Sequence, residues 1–360
     1  MRQAPSRQSL NLPLQNEVVS YLNVAYPLIF LLAEPRLRGW YLERFVHIFS
    51  QIWFGNYLRT DYTDSSRYFG DLLERQAVSM EEARAFPGEG GPIALIRQAI
   101  ADGRAVNVFA LDKYYLPESA EYRTEHAIHE TLVDGYDEAE RKLFVIGYGR
   151  NGRFARLSYD YGDFERAFEA AVAASPAHLT DALHLIKPRS LRREYPFEPG
   201  RFAGELRKLV FSERDDAKLF FSLADEGEAR FGFDVYEHIL TQMRLRIDGC
   251  PAAIVNFTAI HFIAEHSKLL GDRFSYLQER YRPGVALSSL LDRYSGTTGR
   301  YEKLKYHYLK RATAESGFRD RFAVRDPDAF ESVYRMLKEI VEGEKELLTE
   351  TVGALEREFG

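Results

Sequence analysis

The spacing of apolar residues predicts helices at the start of the chain and a sheet after them. Bulky side chains recur every three to four positions over residues 17–33 and 38–59, which predicts two helices. From residue 105 the pattern changes to short runs rich in β-branched and aromatic residues. These runs predict strands at 105–111, 130–136, 142–148 and 153–159, with further helices at 93–101 and 163–174. The first half of the chain therefore has an α+β pattern, with helices packed on a small antiparallel sheet.

The second half of the chain has a helical pattern almost throughout. Helices are predicted over residues 202–211, 214–223, 232–246, 252–270, 286–294, 301–314 and 328–357. The last begins after Asp326, a good N-cap residue, with Pro327 at its first position. Its apolar positions form a heptad-like seam that is interrupted at Glu344. Such a seam either packs on a neighbour in its own domain or joins two copies of the chain as a homodimer.

Composition and charge narrow the class of protein. The chain has 360 residues, of which 45% are hydrophobic, so it can bury a large core. We expect a flexible arm over 1–15, an α+β domain over 16–185 and an all-helical domain over 195–360. The net charge of -6 gives no general attraction to nucleic acid or to an anionic membrane. A single cysteine cannot form a disulfide framework, and no apolar run is long enough to span a bilayer, so we expect a cytoplasmic protein.

Candidate chemistry is concentrated between residues 114 and 154. A polar loop leads to His126 and His129 at the start of the strand predicted over 130–136. An imidazole titrates near neutral pH, so a histidine in this place suits a general base. His126, Glu125 or Glu130 is a candidate partner for His129 in that role. No spacing typical of a metal site or of a phosphate-binding loop is present, and no cofactor is expected.

The spacing around His129 is similar to that of a known family. His129 opens a strand, Gly135 follows six residues later with Tyr136-Asp137 after it, and a Tyr-Tyr-Leu-Pro loop precedes it at 114–117. This pattern resembles papain-like folds, and more closely the amino-terminal domain of the butirosin biosynthesis protein H family. The likeness covers about residues 16–180. It implies a papain-like domain that transfers an acyl group from a carrier protein to an amine through a cysteine nucleophile.

The other catalytic positions of that family carry no matching residue. The nucleophile position, at the start of the first long helix, falls on Val24. A second alignment takes Gln15 as the oxyanion-hole residue and Ser20 as the nucleophile. The third position of the triad falls on Gly147, which has no side chain to orient a histidine. The substrate-binding positions that the resemblance implies are Gln15, Asn23, Val24, Tyr115, Gly147 and Tyr148.

The resemblance leaves two functions open. One is an acyltransferase-like or cyclase-like enzyme of specialised-metabolite biosynthesis, of the nonribosomal peptide or polyketide type. In it, His129 deprotonates an amine that attacks a carrier-bound thioester, or Ser20 supplies a nucleophile. The other is a degenerate papain-like module that holds a carrier protein or its acyl group.

Both functions imply the same partners. These are an acyl or peptidyl carrier protein, whose phosphopantetheine arm carries the substrate, and a small-molecule amine or acyl substrate. A second motif, His129-Glu130-x-x-x-Asp134-Gly135, is one residue from the H-H-x-x-x-D-G motif of peptide-synthetase condensation domains. It points to the same class of carrier-bound substrate.

Overall fold

The computed structural model of the chain forms two compact units. The first is Met1–Pro35 with Tyr68–Arg193, and the second is Arg36–Arg67 with Glu194–Gly360. The structure describes residues 6–53, 57–63, 69–88, 90–174, 183–191, 194–215, 229–250, 253, 256–316 and 327–360. The segment 36–67, which the sequence placed in the first domain, therefore belongs to the second unit.

The described residues form helices and antiparallel sheets. The helices are α1 Leu22–Leu32, α2 Arg38–Leu42, α3 Met80–Arg84, α4 Pro92–Ala101, α5 Tyr161–Ala174, α6 Pro199–Val210, α7 Asp234–Ile247, α8 Phe257–Tyr281, α9 Val285–Ser316 and α10 Pro327–Phe359. The strands are β1 Arg7–Ser9, β2 Ile48–Trp53, β3 Tyr57–Tyr62, β4 Leu73–Val78, β5 Ala105–Asp112, β6 Ile128–Asp137, β7 Lys142–Tyr148, β8 Phe154–Asp160, β9 Leu183–Pro188 and β10 Arg230–Phe231. The expected mixed α+β class and the helical character of the C-terminal region are confirmed.

The first unit is built on one antiparallel sheet with the strand order β4-β9-β5-β6-β7-β8, and β1 also pairs with β6. The four strands predicted between residues 105 and 159 form as β5, β6, β7 and β8. Strands β4 and β9 were not predicted, because both carry charged residues among short apolar stretches. Helices α4 and α5 pack against β5. Their apolar residues and those of the sheet form one core, which includes Ile96, Val106, Val133, Val145, Phe164 and Phe168.

The second unit combines helices α6 to α10 with a three-stranded sheet of order β10-β2-β3. The prediction of one helix over 38–59 is wrong, since α2 ends at Leu42 and the hairpin of β2 and β3 follows. Bulky residues in that segment recur at helical spacing, yet a short, almost wholly apolar run fits a buried strand equally well. The predicted helices at 286–294 and 301–314 are one continuous helix, α9. Most of the helix predicted over 214–223, and Asp326, lie outside the described residues.

The seam of the last helix is used inside its own unit. Helix α10 packs against α6, α7 and α9. The predicted seam residues are all buried: Phe330, Val333, Leu337, Ile340, Leu348, Val352 and Leu355. Glu344, which interrupts the seam, is also buried and accepts hydrogen bonds from the hydroxyls of Tyr294 and Tyr301. Burial raises the pKa of Glu344 to about 7.

Gly135 lies where β1 comes close to β6. Ser9 pairs with Gly135, and a Cβ at this position would lie 2.7 Å from the Gln8 carbonyl oxygen and 2.9 Å from the Ser9 Cα. It would also lie 2.9 Å from the ring of Phe144. A side chain has no room between these backbone atoms. The approach of β1 therefore explains this glycine without reference to catalysis.

We predict that Gly135→Ala lowers the free energy of unfolding by about 1–3 kcal/mol, since overpacking forces the backbone apart. The measurement is urea denaturation of the full chain. Gly162→Ala in α5 is the matched control, because a Cβ there meets no atom within 4 Å. Its stability should be unchanged or slightly raised, as alanine favours a helix over glycine. Equal losses in the two variants would contradict the steric explanation.

Arg273 of α8 is fully buried in the second unit. Its Nε donates to the Leu42 carbonyl at 2.9 Å, and its two terminal nitrogens donate to the carbonyls of Leu269 at 2.7 Å and Arg44 at 2.6 Å. The last carbonyls of a helix have no partner within the helix. Arg273 therefore satisfies backbone groups at the end of α2 and in the turn before the hairpin.

Replacing Arg273 with methionine should lower the free energy of unfolding by at least about 2 kcal/mol, because buried carbonyls lose their donors. Arg280→Met provides the control: Arg280 is exposed on the same helix, and its loss should change stability by no more than about 0.5 kcal/mol. Chemical denaturation followed by circular dichroism measures both. A stability loss no larger for Arg273→Met than for Arg280→Met would show that the carbonyls do not depend on the guanidinium.

Candidate functional site

The candidate site lies where the end of β5 pairs with the start of β6. Leu111 is opposite His129 and Asp112 is opposite Ile128, after a register shift that follows Val108. Successive residues of a strand point to opposite faces of a sheet. Asp112 and His129 therefore face opposite sides of this strand pair. Because His126 binds Asp112, the two predicted histidines lie in different environments.

His126 is held by the carboxylate of Asp112, a residue for which the sequence alone predicts no role. Its Nδ1 lies 2.6 Å from Oδ2 of Asp112, whose side chain is 5% exposed, while the imidazole is 64% exposed. The other carboxylate oxygen accepts from the Tyr114 backbone N–H at 3.1 Å. The Tyr114 ring stacks on the imidazole, with centroids 4.3 Å apart and planes at 20°.

This arrangement sets the tautomer of His126. An ionised carboxylate only accepts hydrogen bonds, so the neutral imidazole carries its proton on Nδ1, towards Asp112. The lone pair of Nε2 is then left on the exposed side of the ring. A carboxylate that orients an imidazole in this way is the arrangement that general-base histidines use.

Lys113, the residue after Asp112, lies in a different environment from His126. Its side chain is buried, and Nζ donates to Thr131 Oγ1 at 3.1 Å. Burial lowers the pKa of Lys113 to about 8, and the charges of Glu121 and Glu130 offset part of that shift. The pKa of the neighbouring Tyr159 phenol is raised, chiefly by burial. A polar cluster of Lys113, Thr131 and Tyr159 thus lies inside the first unit.

His129 is exposed, but one of its ring nitrogens is already used. Nδ1 accepts the backbone N–H of Glu130 at 2.9 Å, so the neutral ring carries its proton on Nε2. Partial desolvation lowers the pKa of His129, and the ammonium of Lys113 lowers it further. The exposed nitrogen of neutral His129 therefore donates a hydrogen bond and does not accept a proton. This geometry does not favour His129 as the general base.

Glu130 does not form a pair with the His129 ring. As the next residue of β6 it points to the opposite face, where its Oε2 accepts from Asn107 Nδ2 at 3.1 Å. Two of the three partners expected for His129 are therefore placed elsewhere: Glu130 at Asn107 and His126 at Asp112. The third, Glu125, is exposed in the loop before β6.

The residues that the family resemblance assigns to the nucleophile and the oxyanion hole, near the first helix, have structural roles. The Gln15 side-chain amide donates to the carbonyls of Val18 at 2.7 Å and Ala25 at 3.2 Å, and its oxygen accepts from the backbone of the same turn. Both donor hydrogens of Gln15 are therefore used in holding the turn before α1. Val24 is fully buried in α1, so its side chain does not face a groove. Ser20, in that turn, is half-buried.

The remaining implied positions also have local partners. The Tyr148 hydroxyl donates to the Val19 carbonyl. A Cβ on Gly147 would lie 3.4 Å from the Tyr26 hydroxyl. Tyr115 is half-buried and packs against the core of the sheet, with its ring centroid 6.0 Å from that of His126. Asn23 of α1 is half-buried as well. Of this set, only Tyr115 has a ring contact with His126 among the described residues.

The described residues do not place three or more histidine, cysteine, aspartate or glutamate side chains where they could hold a metal ion. Within the same residues, none of the helices has the length and apolarity needed to cross a membrane. Comparison of the chain with protein-family models gives no match, and comparison with curated proteins gives none either. The family resemblance therefore stays a prediction.

The structure predicts that His129 titrates below about 6.5, the usual histidine value, and that Lys113→Met raises its midpoint by removing the nearby positive charge. An NMR titration of the imidazole resonances measures this midpoint. Because the folded protein binds this proton less readily than the unfolded chain, His129 costs stability as the pH falls through its usual range and costs none above it. Lys142→Met, a charge removed from β7, is the control and should leave the midpoint unchanged. A midpoint insensitive to Lys113→Met would contradict the assigned cause.

Proposed function

We propose that the first unit catalyses acyl transfer from a thioester to an amine, with His126 as the general base and Asp112 as the residue that positions it. The observation that carries this proposal is the 2.6 Å hydrogen bond from a buried carboxylate to an imidazole that is otherwise exposed. The proposal keeps the papain-like assignment of this unit, which is supported by a first helix and an antiparallel sheet in one unit. It moves the base from His129 to His126.

The chemistry needs no nucleophile from the protein. Nε2 of His126 takes a proton from the amine as its nitrogen attacks the thioester carbonyl. The carbon–sulfur bond then breaks, and the departing thiolate takes the proton back from His126. General-base catalysis of this kind contributes about 10²–10⁴-fold in rate. Asp112 stabilises the imidazolium that forms between the two transfers.

The substrate class in this proposal is an acyl or aminoacyl group on the phosphopantetheine arm of a carrier protein, and the acceptor is a small amine. A thioester is already activated, so positioning and proton removal are enough for the reaction. The Tyr114 ring, stacked on His126, limits the rotation of the imidazole and keeps Nε2 on the exposed side. Carrier proteins of this kind work in the cytoplasm, where we place this protein.

A second function is favoured by the residues at the family's catalytic positions. Val24 is buried, the Gln15 amide is saturated by the turn before α1, and Gly147 has no side chain. These positions suit a degenerate papain-like module that binds a carrier protein or its acyl group without turnover. The two functions differ in whether an amide product forms.

The test uses N-acetylcysteamine thioesters with acetyl, butyryl and octanoyl groups, with n-butylamine as the acceptor and mass spectrometry of the amide. We expect turnover by the wild-type chain and a loss of about 10²–10⁴-fold in kcat/KM for His126→Ala. Asp112→Asn should lose a comparable factor, up to about 10⁴-fold, and shift the pH profile, since a positioning group acts through the imidazole.

His129→Ala is the matched control and should keep activity within a few-fold of wild type. Loss of activity in His129→Ala, with His126→Ala unaffected, would return the base to His129. An amide yield from wild type no higher than the uncatalysed reaction, with every thioester, would reject the enzyme and leave the binding module.

A further inference from the structure

Lys113 is a buried amine that the proposed acyl transfer does not use. Its side chain is 6% exposed, in the 3₁₀ turn that directly follows β5. Its Nζ has one hydrogen-bond partner of the neutral kind, Thr131 Oγ1 at 3.1 Å. A buried ammonium normally requires an ionised partner, because removing a charge from water is costly.

No such partner is present for Lys113 among the residues that the structure describes. It forms no ion pair with them, and Asp112, its neighbour in sequence, points to the other face, where it binds His126. The titratable groups around Nζ are Glu121 in the preceding loop and His129 and Glu130 on β6. The phenol of Tyr159 on β8 lies beyond Thr131. Burial favours the uncharged amine, which is the nucleophilic form, whereas the charges of Glu121 and Glu130 favour the ammonium. A larger fraction of Lys113 is therefore uncharged near neutral pH than of an exposed lysine.

We propose that Lys113 is a covalent binding site for small aldehydes, which it holds as an imine. The geometry that supports this is a buried amine whose Nζ is held by one neutral hydroxyl, that of Thr131 at 3.1 Å, and forms no ion pair with the described residues. Buried lysines without a paired carboxylate are the form of the residue that condenses with carbonyl compounds. The site is separate from the His126 pair, so it does not depend on the proposed acyl transfer.

The reaction balances without an oxidant or a reductant. The Nζ lone pair attacks the aldehyde carbon to give a carbinolamine, and the carbon–oxygen bond then breaks as a carbon–nitrogen double bond forms. The oxygen leaves as water, with both hydrogens of the neutral amine accounted for in that water. Solvent water carries the two proton transfers: the departing hydroxyl takes up one proton and the nitrogen releases one, so no proton is gained or lost by the protein.

The experiment treats the full chain with propionaldehyde and sodium cyanoborohydride at pH 7.5, and mass spectrometry of proteolytic peptides locates the trapped alkyl group. Relative to an amine that titrates near 10.4, one that titrates near 8 has on the order of 100-fold more neutral form at this pH. Since burial slows access, we expect Lys113 to be labelled at least about 10-fold faster than the exposed Lys303 of α9. The rate at Lys113 should level off above about pH 8–9.

Two results would overturn the proposal. In one, Lys113 is labelled no faster than Lys303; in the other, Lys113 is labelled only when urea is present. Lys113→Met should remove the fast-labelled peptide, whereas Lys303→Met should leave it. The wild-type comparison and its pH profile stand even where a variant fails to fold. His126→Ala should leave the labelling unchanged, which separates the outcome for this site from the outcome for acyl transfer.

Discussion

The cost of removing charge from water at the end of β5 shapes the whole candidate site. Asp112 and Lys113 are adjacent, oppositely charged and both buried, yet they do not pair with each other. Asp112 ends β5 and Lys113 begins the 3₁₀ turn that follows, so the two side chains reach different partners and each must be satisfied separately. Asp112 is satisfied by an imidazole and a backbone N–H, and Lys113 by a hydroxyl. The end of β5 and the turn after it thus carry two chemically different sites within two residues.

The same rule accounts for buried polar groups in the second unit. Arg273 is matched to backbone carbonyls that a short helix leaves without partners, and Glu344 is matched to two tyrosine hydroxyls. His266 is matched on both nitrogens, with the Tyr236 hydroxyl at 3.0 Å and the Val46 carbonyl at 2.8 Å. In these cases the polar atoms of the side chain are hydrogen-bonded to neighbouring groups inside the protein. His126 differs, because its second nitrogen stays exposed, and that open capacity is what makes it a candidate for chemistry.

The elements that depend on the local pattern of apolar residues were predicted correctly from the sequence. Strands β5 to β8 follow from β-branched and aromatic runs between turn residues, and α10 follows from its seam. The segment 38–59 could not be assigned in this way, because its aromatic spacing fits a helix and a buried hairpin alike. The Asp112–His126 pair was missed for a different reason. Its members are 14 residues apart, and their meeting depends on a register shift after Val108 that no spacing rule specifies.

The site residues taken from the family resemblance show why spacing alone is weak evidence for chemistry. Gly135 has the family's distance from His129, but the approach of β1 is enough to require a glycine there. Gln15 has an oxyanion-hole spacing, but its amide is used by the turn before α1. Each match has a complete local cause, so none of them carries information about catalysis. The Asp112–His126 pair has no comparable local cause: a strand end does not need an exposed imidazole on its buried carboxylate, and a backbone N–H already satisfies one of its oxygens. A feature that folding does not require is the better indicator of function, and in this strand pair that feature is the exposed imidazole of His126.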